Sequence, residues 1–394
     1  MRKTFSRNDI VLTLTFPPDD NPNYGGILQA WALQQALKEL GVASRVGGLR
    51  LSRRAAVRRR LRRLLGRLLA LVSSGVRPAG SSEARLIEVG VTAPVLRFAR
   101  TRIDLAGVFD ANQRVVQRHA QGFAAYVVGS DQVWRPDYAN TADFMLGFLS
   151  PHDTATRVAY APSFGRAKPD FTALAVEQLA PLIRRFAAVS VREDSAAVAV
   201  AELWQVEATR LVDPTMLIRP PQYRALVDSG SDGSHTQSDA GIISYVLDRS
   251  ASTVRIIEAI EETLGGSARE LVPSRPRSYR TYLAHRKRYL YPPIETWLAA
   301  IDNAAFVVTD SFHGCVFSCL FNVPFAVMVN QKRGTARFET LLGVFGLADR
   351  IVSSPEDARQ LARRPIDWNL VNDRMQRERD RSFEFLRSAL KADR

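Results

Sequence analysis

Short apolar runs alternate with segments of helical periodicity along the chain, and this alternation constrains the fold more than any other feature. The first pair is the run 10–16, predicted as a strand, and the segment 27–40, predicted as a helix that stops at Gly41. Strands that alternate with helices pair in parallel sheets, so the pattern predicts an α/β fold. Further strands are predicted at 124–128, 157–161, 189–191, 210–212, 242–247, 270–272, 305–309 and 325–329, and further helices at 254–264, 294–301, 312–320 and 369–390.

The strand–helix series occurs twice, and two polar or proline-containing stretches separate the copies. The stretch 214–221 is predicted as a hinge, and the stretch 229–241, which is rich in Ser, Gly and Asp, as a loop. A chain of 394 residues is also long for one compact core. We therefore expect two similar α/β domains facing a central cleft, the first at 1–215 and the second at 216–394, with 369–390 as a terminal helix of the second.

The charge of the chain favours anionic partners. Lys and Arg number 54 against 40 Asp and Glu, a formal net charge of +14. Nine arginines and no acid lie between residues 50 and 67, interleaved with leucines, so 50–71 is predicted as a basic amphipathic helix inserted in the first domain. Such a helix is either a solvated surface element or a segment that lies on an anionic membrane. No nucleic-acid partner is expected, because the segment lacks interleaved aromatic residues.

Targeting and metal-binding signals are absent from the sequence. The two cysteines, Cys315 and Cys319, are spaced like buried residues on one helix face rather than like zinc ligands. No apolar run reaches the roughly 18 residues of a membrane span, and the start of the chain does not read as a secretory signal. We expect a cytoplasmic protein without a metal or bound cofactor, and any peripheral position at the inner face of the cell membrane depends on 50–71.

Glycine-rich and polar motifs follow two predicted strands of the first domain. The motif Asn23-Tyr24-Gly25-Gly26 opens the first helix, where glycines allow close approach to a ligand and a helix N-terminus attracts anions. The motif Gly129-Ser130-Asp131-Gln132-Val133-Trp134 follows the strand 124–128, and its polar side chains are suited to sugar hydroxyls. A tight turn and ordinary loop structure are the alternative interpretations of these two motifs. Arg192, at the end of a third strand, is either an oxyanion ligand or the ion-pair partner of Glu193 or Asp194.

The motif Thr309-Asp310-Ser311-Phe312-His313-Gly314 is the most specific signal in the second domain. It places one of only five histidines where an apolar strand passes into a helix, next to an aspartate that is able to orient the ring and favour its protonated form. A surface or core histidine without a catalytic role is the alternative. Three further cations follow the next strand and form a possible phosphate or carboxylate clamp: Lys332, Arg333 and Arg337.

Taken together and in this order, the motifs resemble the polysaccharide pyruvyl transferase family. The resemblance also includes Ser190-Val191-Arg192-Glu193-Asp194-Ser195 and Leu211-Val212-Asp213-Pro214-Thr215, and it covers most of the chain. It implies a GT-B-like fold of two Rossmann-type domains with parallel sheets. It further implies phosphoenolpyruvate as donor co-substrate and a sugar diol of a glycan or lipid-linked saccharide as acceptor.

The resemblance and the chemistry of a ketal transfer together assign roles to the candidate residues. His313 is the expected general acid, and Asp131 or Asp310 the expected acceptor of the hydroxyl proton. The expected donor-binding residues are Arg192, Ser311, Lys332, Arg333 and Arg337. The expected acceptor-binding residues are Asn23, Tyr24, Gly25, Gly26, Ser130, Gln132 and Trp134, with Trp134 stacking on a pyranose face.

Two departures from the family pattern affect these expectations. Many members have Arg-Leu-His where this chain has Ser311-Phe312-His313, so Arg333 or Arg337 is expected to replace the missing anion ligand. Some members have Gly-Asp where Gly25-Gly26 stands. Two alternative functions also remain open from sequence: a GT-B glycosyltransferase that uses a nucleotide sugar, and a non-catalytic, membrane-associated scaffold of a glycan pathway.

Overall fold

The computed structural model describes residues 9–50, 82–230, 241–329 and 334–391. Apart from Arg50, the predicted basic helix 50–71 lies outside the described residues, as do Lys332, Arg333 and most of the predicted loop 229–241. None of the described helices is both long and apolar enough to cross a membrane.

Seven strands form the first sheet. They are β1 (Val11–Leu14), β2 (Ser44–Leu49), β3 (Leu105–Phe109), β4 (Ala125–Val128), β5 (Thr156–Ala159), β6 (Ala188–Val191) and β7 (Thr209–Arg210). All pair in parallel, in the order β3-β2-β1-β4-β5-β6-β7. This is a Rossmann-type order, in which ligands bind beyond the carboxyl ends where the order reverses, here between β1 and β4.

Among the described residues, seven helices connect these strands. They are α1 (Tyr24–Glu39), α2 (Ser82–Val91), α3 (Ala93–Arg102), α4 (Gln117–Ala120), α5 (Thr141–Phe144), α6 (Ala173–Ile183) and α7 (Asp194–Trp204). The first helix starts three residues earlier than its apolar pattern indicates, because the Asn23 side chain caps it by accepting from the N–H groups of Gly25 and Gly26. It ends as predicted at Gly41, whose φ of 74° suits glycine.

Five strands form the second sheet. They are β8 (Ile242–Tyr245), β9 (Arg269–Glu270), β10 (Phe306–Thr309), β11 (Phe325–Met328) and β12 (Ile351–Val352), all parallel in the order β12-β11-β10-β8-β9. The order reverses between β8 and β10, which gives this sheet its own ligand-binding position.

The helices around the second sheet begin after the predicted hinge. They are α8 (Pro220–Gly230), α9 (Ala251–Leu264), α10 (Tyr279–Ala284), α11 (Arg286–Tyr289), α12 (Ile294–Asp302), α13 (Phe312–Leu320), α14 (Ala336–Phe345), α15 (Pro355–Ala362) and α16 (Trp368–Leu390). The hinge segment itself contains a buried 3-10 turn, Pro214–Leu217.

The C-terminal helix returns to the first sheet, although the sequence places it in the second domain. Arg210 of β7 makes a bidentate ion pair with Glu378 of α16, with N–O distances of 2.6 and 3.0 Å. The Tyr160 and Phe385 rings lie 6.4 Å apart, and Arg379 donates to the Met216 carbonyl at 3.0 Å. Helix α16 therefore joins the two halves of the molecule.

The carboxyl ends of the two sheets face each other. Tyr24, at the start of α1, stacks on Trp297 of α12 with ring centroids 5.1 Å apart, and its hydroxyl donates to the Pro292 carbonyl at 2.6 Å. The backbone of Gly334 lies directly against the Gly165 carbonyl, where no side chain would fit. The predicted α/β fold, with parallel sheets in a GT-B-like arrangement, is confirmed.

Candidate active site between the facing sheet edges

Segments that follow β1, β4, β6 and β7 meet the segment that follows β10. Parallel strands end at one edge of a sheet, so residues far apart in sequence come together there. The first sheet contributes Gly25, Asp131, Arg192 and Asp213, and the second contributes His313. Both points of strand-order reversal thus border the same site.

His313 lies on the first turn of α13 and is only 7% exposed. Its Nε2 atom is 3.6 Å from Oδ2 of Asp213 and has no hydrogen-bond partner among the described residues. A carboxylate at this distance orients the ring and stabilises it once it carries two protons. The histidine of one half is therefore positioned by a carboxylate of the other half.

Gly25 determines how closely the first half approaches this ring. A Cβ atom at Gly25 would overlap Nδ1 and Cγ of His313. A Cβ at the neighbouring Gly26 would be at ordinary contact distance, 3.5 Å from the nearest atoms. The first glycine of the pair is thus needed for the contact between the halves, and the second is not.

Asp213 is fully buried and contacts residues of both halves. Its Oδ1 accepts from the backbone N–H and the hydroxyl of Thr215, at 3.0 and 2.7 Å. Its Oδ2 is 3.0 Å from Arg192 Nη1 and 3.2 Å from the Ser130 hydroxyl. Burial alone would raise the pKa of Asp213, but His313, Arg192 and the Thr215 N–H together hold it well below the ordinary value, so the carboxyl is ionised.

Arg192 lies beside Asp213 with one nitrogen still available. It pairs with Asp213 at 3.0 Å and with Glu193 at 3.4 Å, and its guanidinium lies 4.3 Å from the Phe312 ring centroid. Its Nη2 atom is buried and has no hydrogen-bond partner among the described residues. Burial alone would lower the pKa of Arg192, but three neighbouring carboxylates raise it. The predicted ion pair with Glu193 is present, and a donor remains for a further anion.

Asp310 does not orient His313, contrary to the sequence-based expectation. Its carboxylate accepts from the backbone N–H groups of Leu247 and Asp248, at 2.7 and 2.8 Å. The strand β10 pairs directly with β8, so a side chain at the end of β10 reaches the loop after β8. Asp213 takes the position beside the histidine instead.

Asp131 and Ser130 lie at the end of β4 with different environments. Asp131 is 7% exposed, its Oδ1 accepts from the Gln132 N–H at 2.8 Å, and its Oδ2 points towards Gly26. Ser130 is fully buried, and its hydroxyl lies 2.7 Å from the Ala161 carbonyl as well as near Asp213. Asp131 is therefore placed to meet a ligand at the α1 end, while Ser130 supports the carboxylate network.

Arg337 and Ser311 border the site from the second half. Arg337 lies at the start of α14 and lines a narrow crevice of about 10 Å³ together with Arg192, Asp213 and Phe312. Ser311 caps α13 by accepting from the Gly314 N–H at 3.5 Å. The two arginines reach this crevice from opposite halves of the molecule.

Several residues expected to bind the acceptor serve the fold instead. The Trp134 ring is fully buried and its N–H donates to the Phe144 carbonyl at 3.1 Å, so the prediction that it stacks on a sugar is wrong. Tyr24 is buried in the contact with Trp297. The Asn23 side-chain oxygen is occupied as the cap of α1, and the Gln132 side-chain oxygen accepts from Arg135 at 3.1 Å.

An exposed aromatic side chain lies four residues beyond Trp134. Tyr138 is 51% exposed, and the Arg135 guanidinium lies 4.0 Å from its ring centroid. Arg135 is itself buried and lies 3.6 Å from Asp137, which also pairs with Arg166 at 3.0 Å. One ring face of Tyr138 is thus supported by a fixed cation.

Sequence reasoning missed the role of three residues. Asp213 stands in the motif Leu211-Val212-Asp213-Pro214-Thr215, which was recognisable only as the close of the first half. The Ser163 hydroxyl donates to the Glu193 carboxylate at 2.5 Å. In the sequence, Pro162 indicates only the end of a strand, and nothing indicates that Ser163 pairs with Glu193. Tyr138 lies outside the recognised motifs, so the sequence gives no indication of a role for its aromatic ring.

Comparisons with known proteins identify a family and distant structural relatives. A sequence model described as polysaccharide pyruvyl transferase matches residues 23–332. No curated protein matches the chain. Among solved structures, the chain is similar to S. aureus MnaA with UDP (11% identity, TM-score 0.47, covering 98% of both chains). It is also similar to Acinetobacter baumannii MurG (12% identity, TM-score 0.41, covering 97% of this chain and 99% of that one) and to Neisseria meningitidis UDP-GlcNAc 2-epimerase with UDP-GlcNAc (9% identity, TM-score 0.41, covering 89% of both).

Proposed function

The chain belongs to the polysaccharide pyruvyl transferase family, and we propose that it moves the enolpyruvyl group of phosphoenolpyruvate onto a sugar diol as a ketal. The observation that carries this proposal is the contact of His313 of one half with Asp213 and Gly25 of the other, where Arg192 pairs with the same Asp213 oxygen. It combines a proton donor with a buried cation that keeps an unused N–H, which are the groups that an acidic enol ester requires.

The first step of the proposed reaction is protonation of the donor. His313 gives a proton to the methylene carbon of phosphoenolpyruvate, and the positive charge that develops at the neighbouring carbon is quenched by a sugar hydroxyl. That hydroxyl loses its proton to Asp131, which lies 7% exposed at the end of β4. Asp310 is not proposed as the base, because its carboxylate binds two backbone N–H groups.

The second step closes the ketal. The bond between carbon and the phosphate oxygen breaks, and the second sugar hydroxyl attacks the same carbon. Its proton passes to the departing phosphate, which leaves as inorganic phosphate. Arg192 and Arg337 hold the carboxylate and phosphate from opposite sides, with Ser311, Lys332 and Arg333 as further donor-side groups. The requirement for a fixed, buried anion site favours Arg192 as the carboxylate ligand, because its position is set by Asp213 and Glu193.

The acceptor is proposed to bind beside the first sheet. Gly25, Gly26 and Asp131 border the space in front of His313, and Tyr138 offers a supported aromatic face in place of Trp134. The nine arginines between residues 50 and 67 further support action on a lipid-linked or growing glycan at the inner face of the membrane. No metal or bound cofactor enters the proposed reaction.

The test is an assay of the purified protein with phosphoenolpyruvate and p-nitrophenyl glycosides of common hexoses and N-acetylhexosamines. We expect phosphate release that requires both substrates, and a glycoside whose mass increases by that of a pyruvate ketal. Release of a nucleotide from a nucleotide sugar, with no phosphate from phosphoenolpyruvate, would replace the proposal with glycosyl transfer on the same fold.

A further inference from the structure

A long acid-free segment joins β9 to α12 in the second half. Between residues 271 and 294 there is no Asp or Glu. The segment contains helices α10 and α11 and carries six exposed cations, Arg275, Arg277, Arg280, Arg286, Lys287 and Arg288. We call these residues the basic surface.

Buried tyrosines fix the orientation of the basic surface. Tyr279 and Tyr282 of α10 are 4% exposed each and pack against Val91 of α2. Gly90 permits this contact, because a Cβ there would lie 2.5 Å from the Tyr282 hydroxyl. With one side of α10 buried, the opposite side faces solvent, and Leu283 is 45% exposed among the cations.

Five of the six cations of the basic surface have no ion-pair partner within the described part of the chain. Among the described residues, no acidic side chain forms an ion pair with Arg275, Arg277 or the run Arg286, Lys287 and Arg288. This differs from several other exposed arginines, such as Arg224 and Arg249, which pair with Asp302 and Glu270. Uncompensated cations side by side attract an extended anionic partner.

The segment that carries the basic surface reaches the candidate active site at its C-terminal end. Pro292, at the end of the same segment, accepts the hydrogen bond from Tyr24, and the next residue of α1 is Gly25, which touches His313. A partner bound to the basic surface is therefore close to the entrance between the two halves.

We infer that the basic surface binds the anionic headgroups of a lipid bilayer and holds the active site at the membrane. The exposed Leu283 amid cations suits insertion at the interface between headgroups and acyl chains. Nucleic acid is less well matched, because Tyr279 and Tyr282 are buried and do not offer their rings for base stacking. The assignment rests on residues other than 50–71 and goes beyond the transfer reaction.

Flotation of the full chain with vesicles tests this inference. Vesicles of phosphatidylcholine and phosphatidylglycerol in equal amounts are compared with vesicles of phosphatidylcholine alone. The variant R286Q/K287Q/R288Q is expected to bind the anionic vesicles roughly 100-fold more weakly than the wild type, since each cation at an anionic surface contributes about five-fold. A second variant, Leu283→Gln, is expected to weaken binding without changing the charge.

A matched control removes the same charge elsewhere. The variant R363Q/R377Q/R381Q neutralises three exposed arginines near α15 and on α16 and is expected to bind like the wild type. Equal losses in both triple variants, or no loss in R286Q/K287Q/R288Q, would overturn the inference, as would tighter binding of duplex DNA than of vesicles at the same ionic strength. Phosphate release from phosphoenolpyruvate, assayed without vesicles, separates this outcome from failure of the proposed reaction.

Discussion

The two facing sheet edges make unequal contributions to the site. The first edge supplies charges that already hold each other, since Arg192, Glu193 and Asp213 are all buried and linked within 3.4 Å. The second edge supplies His313, whose closest polar contacts lie across the boundary between the halves. One half of the site is therefore charged and fixed, and the other brings the histidine that we propose as the proton donor.

Replacing the histidine is the most severe way to break this division. His313→Ala is expected to lower the rate of pyruvyl transfer about 10²–10⁴-fold, the range for loss of a positioned acid. The fold is expected to persist, because the first edge keeps its own ion pairs. The exposed His285 gives a matched control, and His285→Ala is expected to retain the full rate. Full activity in His313→Ala would show that the second edge supplies no acid.

The two edges each contain a buried aspartate, and exchanging them for asparagine sharpens the comparison. Asp213→Asn leaves Arg192 without its closest counter-ion and is expected to lower the free energy of unfolding by about 3 kcal/mol at neutral pH. Asp310→Asn keeps one oxygen for the Leu247 or Asp248 N–H and is expected to cost about 1 kcal/mol. Urea unfolding measures both. Equal losses of unfolding free energy would mean that the ion pairs of Asp213 stabilise the fold no more than the backbone hydrogen bonds of Asp310 do.

The pH dependence of the Asp213 contribution follows from its lowered pKa. A carboxyl with a pKa below its ordinary 3.8 stabilises the folded state fully above about pH 4. That contribution is lost as the pH falls through the folded-state pKa. The gap between wild type and Asp213→Asn is therefore expected to shrink as the pH falls below about 4. A gap that widens below about pH 4 would contradict an ionised Asp213.

The contrast between Asp213 and Asp310 also shows how far the sequence leads. Local patterns in the sequence predict the strand ends and the helix α1. They also predict that His313 lies where a strand passes into a helix. Which carboxylate meets the histidine depends on the contact between Asp213 and His313, which are 100 positions apart in sequence. No local pattern contains that information, so Asp310, the neighbour in sequence, was chosen wrongly.

Two strands of the first sheet, β2 and β3, were not predicted, and for β2 the reason is again a contact between distant residues. The strand β2 has the sequence Ser-Arg-Val-Gly-Gly-Leu, and its glycines remove the apolar alternation that marks a strand. A Cβ at Gly47 would lie 2.8 Å from Phe109 of β3 and 3.0 Å from Leu14 of β1. Packing against neighbouring strands requires these glycines, and the same packing conceals the strand from sequence analysis.

The glycine pair at the start of α1 tests the boundary between the edges directly. Gly25→Ala places a methyl group where the His313 ring lies, and the displaced imidazole is expected to lower the transfer rate about 10²-fold. Gly26→Ala is the control, since its Cβ meets only ordinary contacts and alanine favours the helix. We expect its rate to stay near that of the wild type. Equal rates for the two variants would show that the halves separate at this point during turnover.

The smallest expected effect concerns the acceptor side of the first edge. Tyr138→Ala removes the exposed ring that Arg135 supports, and we expect the acceptor KM to rise about five- to ten-fold, because an aromatic contact contributes roughly 1 kcal/mol. The KM for phosphoenolpyruvate is expected to stay unchanged, since the proposed donor residues Arg192 and Arg337 line a crevice to which Tyr138 does not contribute.

Tyr138→Phe separates the ring from its hydroxyl, and it should bind the acceptor as the wild type does if the ring face makes the contact. An unchanged acceptor KM in Tyr138→Ala would remove Tyr138 from the site and leave Gly25, Gly26 and Asp131 as the acceptor side of the first edge. A rise in both KM values would instead indicate that Arg135, which the ring covers, helps to hold the loop after β4 in place for both substrates.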